Sequence, residues 1–300
     1  MKRTTLTYAG IGAAGVLLVG LLINSSVGQG DTTVANLAEK THVHGMAVDP
    51  QDPSRLLLAT HHGFHIVSPN GTVKQVSDTS DDFMGFTPHP SDPSTLYASG
   101  HPVGGGNTGV IVSRDGGKTW AQLSPGVGGP VDFHSMDASM ADPNVMYGSH
   151  RGIQVSRDGG ETWEIAGPGP GGLIDLAASA KDPDTVYAAT ESGLQISMDE
   201  GQTWQSTKVT GQPVSLVEVT EDGRIFAFEV GTGLKLGQEG SPAWESLSND
   251  FGDSILLHLA ADPSNADRLY AVTQKSEVLA SQDGGRTWQR FGSGNPPEEG

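Results

Sequence analysis

The chain is built from short apolar runs. Residues 45–48, 56–60 and 64–68 are each four or five residues long and are separated by turn residues. Runs of this length, bounded by Asp, Pro, Asn and Gly, predict β-strands joined by tight turns. The arrangement then recurs. Asp52-Pro53, Asp92-Pro93, Asp142-Pro143, Asp182-Pro183, Asp222-Gly223 and Asp262-Pro263 are spaced by 40, 50, 40, 40 and 40 residues. Shortly after each turn a large side chain occupies an equivalent strand position: Leu57, Tyr97, Tyr147, Tyr187, Phe226 and Tyr270. Each unit predicts an inner strand, an Asp-Pro turn, a second strand, a loop, a third strand, a hairpin and an outer strand. Asn70-Gly71 is the hairpin turn of the first unit.

A second periodic feature sits in the later hairpins. Residues 113–120 read Ser-Arg-Asp-Gly-Gly-Lys-Thr-Trp, and the pattern Ser-x-Asp-x-Gly-x-Thr-Trp returns at 156–163, 197–204 and 281–288. A decayed copy at 237–244 keeps only its tryptophan. The five tryptophans, at 120, 163, 204, 244 and 288, are spaced by 43, 41, 40 and 44 residues. A period of roughly 40 to 45 residues made of short strands predicts a β-propeller with one four-stranded blade per repeat. The expected fold is all-β, a six-bladed propeller. Within the motif a short carboxylate accepts from turn N–H groups, glycine takes positive φ, and the tryptophan fills an apolar seam. Motif and spacing resemble the Asp-box (BNR) repeats of the sialidase and sortilin-like superfamily. That resemblance implies that the boxes are structural and lie on peripheral turns.

Composition narrows the functional classes. With 42 glycines and 18 prolines the chain suits an all-β protein, and its lack of cysteine removes disulfides, thiolate nucleophiles and Cys-type zinc sites. A net charge of -18 argues against nucleic acid as a partner, because phosphate backbones are bound by Lys and Arg. Met1-Lys2-Arg3 followed by an apolar run over 8–23 predicts an export signal or an N-terminal membrane anchor over 1–28. The expected location is extracytoplasmic. The expected organisation continues with a linker over 29–40, in which a short strand over 32–37 could help close the ring. The propeller follows over 41–292, then a polar tail over 293–300, in a monomer.

The candidate chemistry lies in the histidines, nine of ten falling before residue 151. Counting back from the Asp-Pro turns, His42, Asp82 and Asp132 are equivalent, and so are His44 and His134. Residues two apart on a strand share a face. The loop after the second strand aligns His61-His62-Gly63, His150-Arg151-Gly152 and Glu191-Ser192-Gly193 on their glycines, and His101 ends the same strand of the second unit. The start of an inner strand and the end of its antiparallel neighbour lie at one rim, so these residues should meet at one mouth of the channel. Imidazoles with carboxylates suit a divalent transition metal such as Zn, Cu or Ni. His44, His61, His101 and His134 are the expected ligands, with His42, His150, Asp82, Asp132 and Glu191 as supporting groups or alternates. The plainer reading makes the histidines hydrogen-bonded pillars of the strand ends. His62, His65, His89 and His258 fall outside the pattern and read as surface or packing residues.

A closer resemblance is to secreted bacterial propellers labelled glycosyl hydrolase, carried by His42-Val43-His44-Gly45, Asp82-Phe83-Met84-Gly85-Phe86, Ser99-Gly100-His101-Pro102 and Asp132-Phe133-His134. The label implies hydrolysis, for which Asp82, Asp132, Asp175 and Glu191 are the catalytic candidates. A true sialidase would need three arginines and a tyrosine nucleophile, whereas four of the tyrosines here sit on strand cores. Three classes follow: a binding module for a metal, glycan or other small ligand; a glycosidase or metal-assisted hydrolase; and a protein-interaction scaffold. The binding module ranks first.

Overall fold

The computed structural model describes residues 32–292, and the export or anchor segment over 1–28 and the tail over 293–300 lie outside these described residues. Six antiparallel sheets form the ring; in each the four blade strands follow sequence order from the inside out, and the first sheet carries a fifth, N-terminal strand on its outer edge. Their innermost strands are Val43–Val48, Asp82–Pro88, Met136–Ala138, Leu173–Ala178, Val214–Val219 and Leu256–Ala261. Each contacts the next, and the last contacts the first. The second strands, among them Leu56–Thr60 and Leu96–His101, return antiparallel after the Asp-Pro turns. The predicted large side chains are core: Leu57, Tyr97, Tyr147, Tyr187, Phe226 and Tyr270 are all buried.

Packing between blades supplies the core. Phe64 of the first blade and Phe83 of the second meet Trp120 with ring centroids 5.4 and 5.0 Å away, while Phe133 meets Trp163 at 4.9 Å. A single four-stranded sheet has no partner for such faces, so the ring is the smallest unit that buries them.

The four intact boxes share one hydrogen-bond pattern. In the first, the Ser113 hydroxyl donates to Asp115 Oδ1 at 2.8 Å and accepts from Gly117 N at 2.8 Å. Asp115 also accepts from Thr119 N at 2.9 Å and the Thr119 hydroxyl at 2.7 Å, and Trp120 Nε1 donates to Gly117 O at 3.0 Å. Trp163, Trp204 and Trp288 repeat that indole bond. The Thr287 hydroxyl and backbone N–H hold the Asp283 carboxyl down to about 2.

The N-terminal segment departs from expectation. Thr32–Thr33 pairs with Thr72 and Val73 on the outer edge of the first blade, and Val34–Leu37 is a helical turn rather than strand. Val34 and Leu37 are buried against that blade. Among the described residues the four strands of each blade come from one continuous stretch, and none is exchanged between the first and last blades. Closure comes from packing: Met46, Val48 and Leu58 share a buried cluster with Tyr270, Val272 and Val278. Val43 N donates to Ser276 Oγ at 3.2 Å across the same seam.

Candidate functional site

The histidines gather where the sequence spacing places them, at the rim carrying the starts of the inner strands and the ends of the second strands. Asp82 pairs in register with His101, and Val43, beside His44, pairs with Thr60, beside His61. The glycines used to align the three loops share one backbone state, with φ of 96° at Gly63, 127° at Gly152 and 130° at Gly193. Side chains other than glycine rarely adopt it.

Two carboxylates organise the mouth. Asp82 Oδ2 lies 2.8 Å from His61 Nδ1, and Asp82 Oδ1 lies 3.5 Å from His44 Nε2. Donor atoms of His44, His61 and Asp82 all fall within 4.8 Å of one another, the one such trio among the described residues. Asp132 Oδ2 takes the second pair, His134 Nε2 at 2.9 Å and His101 Nε2 at 3.1 Å. The histidines expected to form one ligand set are thus divided, His44 and His61 on Asp82, His101 and His134 on Asp132. Each carboxylate reaches the second-strand end of the preceding blade, Asp82 to His61 and Asp132 to His101, although backbone register pairs Asp82 with His101 of its own blade.

The carboxylate side chains of Asp82 and Asp132 are 12% and 9% exposed, whereas those of His61, His101 and His134 are 51%, 42% and 70% exposed. Burial draws the His44 pKa down, against the pull of Asp82. The hydrogen bond to Asp132 raises that of His134. Burial opposes ionisation of Asp132, but the His134 hydrogen bond and the neighbouring imidazoles hold its carboxyl below the usual range.

The residues fit a metal ion on two counts. His44 Nε2 and Asp82 Oδ1 are buried and have no hydrogen-bond partner, a costly state for two polar atoms. Donors around a tetrahedral ion with bonds near 2.0–2.2 Å are spaced about 3.4 Å apart, close to the 3.5 Å between these two atoms. Nitrogen and oxygen donors in this ratio suit Zn, Cu or Ni.

The other expected residues take different places. His150 Nδ1 lies 3.1 Å from the Asp132 backbone carbonyl. The exposed His42 contributes its charge to His44. Glu191 is exposed on the loop joined to Gly172 by its backbone N–H. Asp175 faces the channel interior, where its carboxylate accepts from the Ser135 hydroxyl at 2.9 Å and Val217 N at 3.0 Å. Burial raises its pKa to about 6. His62 lies 3.3 Å from the Thr41 hydroxyl, and His89 caps a turn by accepting from Ser91 N and Asp92 N. His65 Nδ1 is buried with no hydrogen-bond partner.

His258, read as a surface or packing residue, stands on the innermost strand of the sixth blade. Burial, then the charge of His44, draws its pKa down to about 4. Two acids in the channel were also missed. Asp137 accepts from the Thr87 hydroxyl and from Ala178 N of the next blade, both at 2.9 Å. Glu218 lies on the inner strand of the fifth blade. A repeat alignment could have flagged them as polar residues on otherwise apolar inner strands.

Comparison with known proteins identifies the repeats and the fold. The family described as BNR/Asp-box repeat matches residues 111–122 and 154–164. Among curated proteins no sequence matches the chain. Among solved structures, a GH74 enzyme from Niastella koreensis superposes with a TM-score of 0.59 at 16% identity, over 83% of this chain and 45% of that one. YCF48 bound to D1 peptide matches at 0.52 and 18% identity over 84% of both chains. A chain of a nidogen/laminin complex matches at 0.55 and 12% identity over 75% of this chain and 88% of that one. At such identities the likeness is one of fold. The chain spans less than half the length of the GH74 enzymes it matches.

Proposed function

We propose that this BNR-repeat propeller is a binding module that takes one divalent transition metal at the channel mouth, on His44, His61 and Asp82. The observation that carries the reading is the pair of buried, unpartnered atoms, His44 Nε2 and Asp82 Oδ1, facing each other at 3.5 Å beside His61. A bound cation satisfies both at once. The export-like N-terminal residues support a place of action outside the cytoplasm, where the lack of cysteine carries no penalty.

The neighbouring folds agree with a ligand-binding role: one is bound to a peptide and another sits in a protein complex. A second reading, metal-assisted hydrolysis, draws on the same residues. Three protein donors leave a coordination position open, and a bound ion there would lower the pKa of a water molecule. His134, oriented by Asp132 and exposed to solvent, is the candidate proton acceptor in this reading. The GH74 likeness adds a glycosidase variant of this reading, though Asp175 is committed to hydrogen bonds inside the channel.

The test is a zinc competition titration against a chromophoric chelator. His44→Ala, His61→Ala and Asp82→Asn should each weaken zinc about 100-fold or more, and His42→Ala should leave it unchanged. Equal affinity across all four variants would contradict the assignment.

A further inference from the structure

Blade six breaks the repeat at one position of the mouth rim. Nine residues before the Asp-Pro turns of blades two and three stand Phe83 and Phe133, each fully buried against the tryptophan of its own blade. The same count in blade six reaches Asp253, which is exposed. The aromatic residue of this blade lies two places upstream, at Phe251, half-buried and with its ring centroid 6.1 Å from that of Trp288.

The seam between blades five and six holds an open cavity of about 270 Å³. Its apolar lining includes Phe228, Phe251 and Ile255, and its polar lining is Asn249, Asp253 and Ser254. Phe228 and Phe251 meet edge to face with centroids 5.2 Å apart, a favoured aromatic arrangement that fixes this wall. Gln274 holds the loop: its Nε2 donates to Asp253 O at 2.9 Å, and its Oε1 accepts from Ile255 N at 2.6 Å. Ser254 N closes the turn on Phe251 O at 2.9 Å. The backbone is thus held while the side chains stay unused. Among the described residues, no hydrogen bond or ion pair engages the side chains of Asn249, Asp253 and Ser254. Unpaired polar groups are ordinary on a surface loop, but these three converge on one concave, partly apolar site, the usual build of a small-ligand pocket.

We propose that this cavity binds a small organic ammonium ion, its charge at Asp253 and its hydrocarbon body against Phe228, Phe251 and Ile255. The composition of the wall selects that class. Asp253 is the one charged residue lining the cavity, and an ionised carboxylate only accepts hydrogen bonds. Aromatic rings add attraction for a cation through the negative charge of their faces. A net charge of -18 favours the approach of cations over anions. The volume falls below the roughly 300–1,000 Å³ of sites for drug-sized ligands, so the occupant is small. His44, His61 and Asp82 take no part in this wall, and the inference does not rest on a metal ion there.

Ligand-observed NMR on the full chain, purified without a histidine tag and kept in chelator, tests the proposal. The probes are butylammonium and choline, with butan-1-ol and butyrate as neutral and anionic counterparts. Saturable binding is expected for at least one of the cations, and which one binds tells a primary from a quaternary ammonium site. The counterparts should bind about tenfold more weakly or not at all. Asp253→Asn keeps the shape and removes the charge, so its Kd for the cation should rise about tenfold or more. Because Asp253 is exposed, this variant should melt with the parent. Phe251→Leu should also weaken the cation, and His44→Ala/His61→Ala should bind it as the parent does.

No saturable binding of either cation would overturn the proposal. So would butan-1-ol binding as tightly as the cations, which leaves only an apolar cleft. Unchanged affinity in Asp253→Asn would place the cation elsewhere, and its loss in the double histidine variant would move it to Asp82.

Discussion

Asp82 and Asp132 show how much a single residue can decide here. Repeat alignment puts them level with His42 and so makes them look interchangeable with it. The side chains instead settle one carboxylate under each pair of histidines. That the histidines converge on one rim was legible in the sequence, because strand pairing and a period of about 40 residues fix which ends share a rim. Their division was not, because it depends on rotamers and on distances between blades. Gly100 guards this arrangement. Its φ is 126°, and a Cβ there would lie 2.0 Å from the Asp82 carbonyl oxygen. Gly100→Ala is expected to cost roughly 2–4 kcal/mol through backbone strain and overpacking. Chemical denaturation measures the loss, and metal affinity should fall with it as Asp82 is displaced.

The blade is the element that the sequence describes best. Strand order, Asp-Pro turns, box hairpins and buried aromatic positions all follow from recurrence, since each repeat reports the same local solution several times. Outside the repeat no second copy reports the local structure. Of the strand expected over 32–37 only Thr32–Thr33 is extended, and Val34–Leu37 forms a helical turn, with Thr33 N donating to Asn36 Oδ1 at 2.9 Å and Val34 and Leu37 seated in the core. The decayed fifth box shows that one box is dispensable, because its hairpin still joins Gly233–Gln238 to Trp244–Ser248. Asp158→Ala should therefore leave the circular dichroism spectrum unchanged while lowering stability by about 1–2 kcal/mol, as Thr162 N and the Ser156 hydroxyl lose an acceptor. Seams between blades matter more. Phe133, fully buried with Val110, Met146 and Trp163, should cost about 3–5 kcal/mol when cut to alanine.

Across the whole molecule, the channel carries a cost that the repeat pattern does not reveal. Burial, followed by the charges of Asp137 and Asp175, pushes the Glu218 pKa well above the usual carboxylate range. Among the described residues no hydrogen bond satisfies its carboxylate, whereas Asp137 and Asp175 accept backbone N–H groups from the blades that follow them. A carboxyl with a raised native pKa binds its proton more tightly folded than unfolded. Its contribution is fully present below the unfolded value near 4.3 and is lost as pH rises through the native one. Glu218→Gln should thus match the parent's melting temperature at pH 4 and exceed it at pH 8. A variant less stable at pH 8 would mean that the carboxylate is needed in the channel.

The central claim is that the propeller's mouth is built around a cation, and metal content measures this most directly. The full chain, purified without a histidine tag and equilibrated with zinc, copper or nickel before desalting, should retain one equivalent by mass spectrometry, and the His44→Ala/His61→Ala double variant should retain none. A parent that holds no metal after equilibration, or a double variant that holds as much as the parent, would contradict the account.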